Sequence, residues 1–344
     1  MPSQSLLKWT PHAGLAAVIA VLTTLSLACF VHGQPSASAA RTKKYSIALI
    51  PMGTTDEYWK AIHAGGERAA REVNAEIIWQ GPIRRDDRSA QIDVVENMIV
   101  RNVDGIVIAP LDNMALRGPV ENAFRSRIPV VVIDSDLHST RQISFIATNN
   151  YQGGVMGGDY LAKLVNYKGK VAMLRGIEGS ASTDHRERGF LDAIKKYPNI
   201  QVVSSNQHSG ATSESAYRAS ENILAPFKTP DGKIGLDGIF CSNESSTFGM
   251  LRALQDGALA GKIRFVGFDQ SDKLNRALGQ GHLDALVVQD PVTMGYLGIK
   301  AVVDHLERKP VTKQIDVPAT LATTQNMRQP EIHKLLYPDL SWLK

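Results

Sequence analysis

Cysteine is nearly absent from this chain: 344 residues hold two, Cys29 and Cys241. The first falls in an N-terminal stretch with the marks of a removable leader, so the mature chain keeps one thiol and no intramolecular disulfide is open to it. Stability must come from a buried core. Strong charge is also lacking. The formal net charge is +4, and the basic excess is dispersed, which gives no reason to invoke nucleic acid. There is no H-E-x-x-H, no G-x-S-x-G, no P-loop and no paired-cysteine metal site. The first apolar run leads into Met52-Gly53-Thr54-Thr55-Asp56, which lacks the G-x-G-x-x-G turn that lets a backbone approach a pyrophosphate. Ser182, Asp184 and His185 are close in sequence, but adjacency does not give a nucleophile and base their geometry, and they read as loop and helix-start residues. No catalytic residue, metal or cofactor is expected. No short period suggests a solenoid, and no long Pro- or Gly-rich linker divides the chain.

What is present begins with export. Lys8 precedes an uncharged apolar stretch at 14–30 and the small-residue segment Ser36-Ala37-Ser38-Ala39-Ala40. That is the order of a secretory signal peptide, and Ala37-Ser38-Ala39 fits the A-x-A cleavage pattern. Residues 1–40 are therefore read as signal, and the mature protein as periplasmic or otherwise extracytoplasmic. Leu25-Ser26-Leu27-Ala28-Cys29 also resembles a bacterial lipobox, with Ser26 in place of the usual aliphatic residue, so a lipid anchor on Cys29 is the alternative to a free protein.

The remainder alternates. Residues 45–51, 76–80, 105–110 and 129–135 are short apolar runs that read as buried parallel strands. Between them, 56–73 places Trp59, Ile62, Ala69 and Ala70 on one face, and 91–103 does the same with Ile92, Val95, Met98, Ile99 and Val103, as crossover helices do. After residue 150 the rhythm resumes, with strands at 170–175, 200–205, 237–242, 263–269 and 285–289. Helices are expected around 184–196, 214–224, 246–255, 272–278 and 292–307, and a last extended segment at 311–320. Two similar α/β halves with a cleft between them are the economical reading for a mature chain of about 300 residues.

Polar residues end several of these runs: Asp134, Asn243, Asp269 and Gln289. Open α/β sheets hold ligands beyond the carboxyl ends of their strands, at the point where strand order reverses. Tyr58 and Trp59, at the start of the first helix, offer aromatic faces suited to the C–H face of a sugar or polyol; the alternative is that one of them packs in the helix–sheet core. Arg186 adds a fork of donors. Together with the carboxylates it suits vicinal hydroxyls, each of which donates and accepts. An Asp at a strand end, or Asn243, can equally be a helix N-cap, and Arg188 reads as a surface or structural residue. If Trp59 and Arg186 line the cleft, alanine at either weakens ligand binding and leaves the melting of the unliganded protein little changed.

These residues occur in an ordered set of landmarks: Ile47-Ala48-Leu49-Ile50 then Tyr58-Trp59, Gly105 through Pro110, Ile128-Pro129-Val130 through Asp134, Asn149 through Gly154, Arg186-Glu187-Arg188-Gly189-Phe190, Asn243-Glu244, Gly267-Phe268-Asp269 and Gln289. The set, over 44–322, resembles the periplasmic sugar-binding proteins of the ribose/galactose type, partners of ABC importers. The resemblance implies the type I fold: α/β, with two similar doubly wound parallel-sheet lobes joined by a three-strand hinge. The lobes would be 44–148 plus 290–318 and 149–289 plus 319–344, with crossings near Thr148-Asn149, Gln289-Asp290 and Pro318-Thr320. It implies a monomeric, non-enzymatic receptor that captures a monosaccharide or polyol and delivers it to a membrane permease. It also implies ligand contacts from Tyr58, Trp59, Asp134, Arg186, Asn243, Asp269 and Gln289. Asp56 stands where the ribose-type pattern often has Asn, and Ser135 where it usually carries Arg, which counts against ribose itself. The same fold could serve as a ligand sensor for a chemoreceptor or a histidine-kinase input. A hydrolase using the cleft carboxylates would need a suitable separation and one raised pKa. The segment after Thr323, with Tyr337 and Trp342, has no assigned role.

Overall fold

The computed structural model describes residues 44–229 and 234–343, so the expected leader, its cleavage site and Cys29 lie outside the described residues. The apolar runs are strands and the amphipathic stretches between them helices. In order they are β1 (Tyr45–Ile50), α1 (Glu57–Glu72), β2 (Ala75–Trp79), α2 (Arg88–Val100), β3 (Gly105–Ile108), α3 (Arg117–Arg125), β4 (Val130–Ile133), β5 (Ser144–Thr148) and α4 (Asn150–Leu164). There follow β6 (Gly169–Arg175), α5 (Ala181–Ile194), β7 (Ile200–His208), α6 (Ser213–Leu224), β8 (Gly238–Cys241), α7 (Glu244–Asp256), β9 (Arg264–Phe268), α8 (Asp272–Gly279) and β10 (Ala285–Val288). The chain closes with α9 (Pro291–Leu306), β11 (Gln314–Val317), β12 (Thr320–Thr323) and α10 (Pro330–Leu336).

Two six-stranded sheets result. The first runs β2-β1-β3-β4-β5-β11 and the second β7-β6-β8-β9-β10-β12. All pairings are parallel except β10 with β12. Strand order reverses beside β1 in one sheet and beside β6 in the other, which opens a crevice at the carboxyl ends of each. Helices cover both faces, so β3, β4, β8 and β10 are buried along their whole length. Along β1, Ile47 and Leu49 pack toward Ile62 of α1 and Ile299 of α9, while Ala48 and Ile50 pack toward Val95 of α2 and Val120 of α3. A continuous apolar run thus serves two cores through its period of two.

In each layer one helix pair approaches to backbone contact over glycine. A methyl at Gly65 of α1 would stand 2.0 Å from the Val292 carbonyl oxygen of α9, and one at Gly154 of α4 would stand 1.9 Å from the Arg186 carbonyl oxygen of α5. Side chains there are excluded, and Arg186 is set in place by the approach.

The structure departs from the sequence reading in several places. β5, α3, α4 and α10 were not among the expected elements. The segment expected as one extended stretch is two strands in different sheets, β11 beside β5 and β12 beside β10. Pro318, which has no N–H for a ladder, lies between them. On α2 the buried face is Gln91, Val94, Val95 and Met98, with Ile92 and Ile99 only partly covered. The tail beyond β12 puts Ile332 and Leu336 into the second layer's core. Its last turn, Ser341–Leu343, then reaches α1 of the first, where the Arg71 guanidinium donates to the Trp342 carbonyl at 3.0 Å and lies over its ring.

Gln91 shows how the crevice loops are held. Its Nε2 donates to the carbonyls of Pro51 (2.9 Å) and Ala109 (2.8 Å), and its Oε1 accepts from the Leu111 N–H (2.8 Å). It ties the turn after β1 to the turn after β3. Gln91→Leu should cost at least about 2 kcal/mol of stability, because three buried backbone groups lose their partner; an unchanged urea midpoint would show that water replaces it.

Candidate functional site

The carboxyl ends of both sheets face one another, and a cavity lies where they meet. Met52, Asp56, Tyr58, Trp59, Arg85 and Asp134 of the first layer line it, with Ser182, Thr183, Arg186, Asn243, Glu244, Asp269 and Gln289 of the second. Little free space remains in it, about 20 Å³, room for no more than a water molecule. The layers are drawn together over it. The Ser182 N–H donates to Ser135 Oγ at 3.2 Å, the Asp272 N–H to Glu57 Oε2 at 2.9 Å, and Arg88 Nη2 to the Glu178 carbonyl at 3.2 Å, all from one layer to the other. A wider groove of about 860 Å³ on the same measure, beside Arg141, Tyr151 and Asp316, contains none of the eight sequence candidates, so size does not locate the site.

All eight candidates border the smaller cavity, and they do different things there. Asp134 and Asp269 follow β4 and β9, the fourth strands of their sheets, with φ of 65° and 67°. Other non-glycine residues with positive φ lie just after helix ends, as Asn74 and Asn102 do; these two alone among the described residues terminate strands. The left-handed turn is one that Asp tolerates better than most residues, and it swings each carboxylate into the crevice. The Tyr58 hydroxyl donates to Asp134 Oδ1 at 2.5 Å, and the Asp134 carbonyl accepts from Asn150 Nδ2 at 3.3 Å. Burial is the largest influence on the Asp134 carboxyl and pushes its pKa up, against the pull of Arg186 and the Tyr58 bond. Asp269 Oδ1 accepts from Gln289 Nε2 at 2.6 Å, and its Oδ2 accepts from the Glu244 N–H at 3.2 Å and from Arg186 Nη1 at 3.5 Å.

Arg186 is 2% exposed. It donates from Nε to Asn150 Oδ1 at 2.8 Å and from Nη1 to the Ser242 carbonyl at 3.0 Å, with its guanidinium 3.9 Å from the centre of the Phe268 ring. Its anchors all belong to the second layer. Tyr58 and Trp59 meet edge to face at 5.0 Å and both join the first layer's core. The Tyr58 ring is therefore a support for Asp134 more than a free wall, and burial and the neighbouring Asp134 carboxylate hold its hydroxyl protonated well above its usual pKa. Trp59 keeps a buried Nε1–H without an acceptor. Asn243 caps α7: its Oδ1 accepts from the Ser246 N–H at 3.2 Å and its Nδ2 donates to Ser245 Oγ, so the capping alternative holds and much of the amide is committed. Gln289 holds Asp269 and leaves its buried Oε1 without a partner. Asp56 precedes α1 but makes no capping bond; its Oδ2 accepts from Arg85 Nη1 at 3.3 Å.

Two charged wall residues lie outside the eight candidates, Arg85 and Glu244. Burial, with Asp56 and Asp269 beside it, raises the Glu244 carboxyl well above its ordinary value. Four of the residues that line the cavity thus carry a buried polar atom without a partner: the donors Trp59 Nε1 and Arg85 Nε and the acceptors Gln289 Oε1 and Glu244 Oε2. What satisfies them must both donate and accept at several points.

A family model described as periplasmic binding protein domain matches residues 47–310. In sequence, the chain is 28% identical over 314 residues to the ribose import binding protein of Bacillus subtilis strain 168, covering 89% of this chain and 98% of that one. Among solved structures, it is similar to a carbohydrate transporter solute binding protein from Agrobacterium radiobacter in complex with D-arabinose, with TM-score 0.81 and 31% identity, over 86% of this chain and 100% of that one. An ABC transporter solute binding protein from Agrobacterium vitis with bound D-fucose gives TM-score 0.81 and 32% identity, over 85% and 100%.

Proposed function

The chain belongs to the periplasmic binding protein family, and from that premise we propose that it is the solute-binding receptor of an ABC-type sugar importer. It captures a monosaccharide or polyol between its two layers and presents the closed form to a membrane permease. The observation that carries this is the set of unpartnered buried donors and acceptors in one cavity, contributed by both layers. A ring bearing several hydroxyls meets all of them at once. A ligand shifts a protein toward closure only by binding the closed state better, and contacts divided between layers supply that difference. The three chain crossings, near Thr148-Asn149, Gln289-Asp290 and Pro318-Thr320, act as the hinge for lobes made of 44–148 plus 290–318 and 149–289 plus 319–344, the last turn of the second reaching back to α1.

The eight candidates divide by role. Trp59, Asp134, Arg186, Asp269 and Gln289 face the sugar, while Tyr58, Asn243 and Asp56 chiefly hold other wall groups in place. Binding is without catalysis: Asp134 and Asp269 are fixed by Tyr58, Gln289 and Arg186 as acceptors, and a sugar recovered after binding should be chemically unchanged. The protein acts as a monomer in the periplasm after loss of residues 1–40, and the mass of the mature chain separates a free N-terminus from a lipid on Cys29. No helix of the described residues is long and apolar enough to cross a membrane.

A thermal-shift screen of the mature chain against pentoses, hexoses, deoxysugars, polyols, nucleosides and amino acids tests the reading. A ligand at a hundred times its Kd should stabilise the native state by about 2.7 kcal/mol. A selective rise with one sugar or polyol is expected; a rise confined to amino acids or nucleosides, or none at all in folded protein freed of ligand, overturns it.

A further inference from the structure

Arg85 lies in a run that reads as solvent-facing, Arg84-Arg85-Asp86-Asp87-Arg88, and only it turns inward. Arg84 is exposed and paired with Asp86, and Arg88 pairs with Asp112. Arg85 is 8% exposed. Its stem crosses Gly53, where a Cβ would come within 2.8 Å of the Arg85 Cγ, so that glycine leaves the room it needs. Asp56 gives up the capping of α1 and instead accepts from Arg85 Nη1. The Nε–H remains buried with no acceptor. Across the cavity, on the other layer, Glu244 has its N–H bonded to Asp269 while its Oε2 is buried with no partner. Ser135, where the resemblance leads one to look for a guanidinium, is fully buried and spent on the Ser182 N–H.

We propose that Arg85 and Glu244 form a subsite that holds one hydroxyl of the bound sugar between the two layers, and that this position selects the hydroxylated sugar over the analogue lacking that hydroxyl. The proposal rests on the sugar-receptor reading and adds a position to it. A hydroxyl suits both walls, because it accepts from the Arg85 Nε–H and still has a proton for Glu244. A ligand carboxylate would satisfy Arg85 but bring a second anion beside the Asp56 carboxylate that Arg85 already holds; an ammonium group would leave the Arg85 Nε–H without an acceptor. Arg85 thereby brings a guanidinium to the cleft from the loop after β2, and closure brings Glu244 to meet it. A site built to hydrogen-bond a hydroxyl rejects the deoxy analogue strongly, because its own buried groups are then left unpaired.

The test is affinity by calorimetry for D-galactose, D-allose and D-ribose, each beside its singly deoxygenated forms, in the full mature chain and in Arg85→Met and Glu244→Met. For whichever sugar binds, one deoxy form should bind the unmodified protein at least about tenfold more weakly. Each variant should lose about that factor for the parent sugar and nothing for that deoxy form, so the ratio falls toward one. Equal losses for both sugars, or no loss for either, would overturn the subsite while leaving the receptor reading intact. Failure of these three and of every other sugar and polyol in the thermal-shift screen to bind the unmodified chain would sink both. Should Arg85→Met fold poorly because Asp56 loses its partner, Glu244→Met carries the same comparison.

Discussion

Arg186→Ala should lower the melting temperature of the unliganded protein by on the order of 10 °C and abolish sugar binding as well. The sequence alone led to a different expectation, that a ligand-facing arginine could be removed without much cost to the free protein. The structure gives Arg186 a second task. Its partners Asn150, Ser242 and Asp269 and the Phe268 ring beneath it all lie in the second layer, so they are met whether or not a ligand has drawn the layers together. Alanine leaves the Asp269 carboxylate buried without its cation, and breaking a buried pair in this way costs about 3–5 kcal/mol. For a chain of this size each kcal/mol moves the midpoint by a few degrees. Differential scanning calorimetry of the free protein, beside a titration with the sugar found by screening, checks both halves. An unchanged midpoint would mean that water takes over the guanidinium's bonds and that Arg186 serves the ligand alone.

What could be read from the sequence follows from where the information is local. The strand ends were legible because buried parallel strands are uniform apolar runs, so the first polar residue after one is conspicuous; Asp134, Asp269 and Gln289 were found in that way. The left-handed φ shared by the two aspartates gives no signal in composition. Arg85 was hidden because its neighbours are exposed and charged, and the reason it turns inward is Gly53, over thirty residues earlier in the chain. Glu244 stands in the first turn of α7, where the helix dipole favours any acid, so its residue type carries no signal of a site. Tyr58 was found, but its use was not: an aromatic beside Trp59 looks like a wall, and only the fold shows its hydroxyl on Asp134. The division of 311–320 between two sheets depends on which edge each half meets, which periodicity does not carry.

Asp134→Asn and Asp134→Ala should separate what the charge does from what the backbone does. Asparagine tolerates a φ of 65° and keeps an oxygen for the Tyr58 hydroxyl, so the unliganded protein should lose under about 1 kcal/mol. Alanine is strained in that region and leaves the buried Tyr58 hydroxyl only the weak Met294 sulfur acceptor at 3.6 Å, a combined loss of about 2–4 kcal/mol. Both should weaken sugar binding by at least about tenfold, because a neutral amide is a poorer acceptor than a carboxylate and offers one oxygen in place of two. The pH dependence distinguishes them from the unmodified chain in a further way. With its pKa raised by burial, Asp134 in this closed arrangement retains a proton that the unfolded chain gives up near the ordinary value of 3.8. Between that value and the raised one the native state binds more protons, so this group's contribution to stability falls as pH rises through the window and is fully present below it. Asparagine cannot titrate, and its stability curve should lack that decline. A decline of the same size in Asp134→Asn would assign the proton to Glu244 or Glu187, the other buried carboxyls whose pKa burial raises. Tighter sugar binding by Asp134→Asn would mean that the ligand meets a neutral donor at this strand end and not an acceptor, which would remove Asp134 from the hydroxyl-accepting wall.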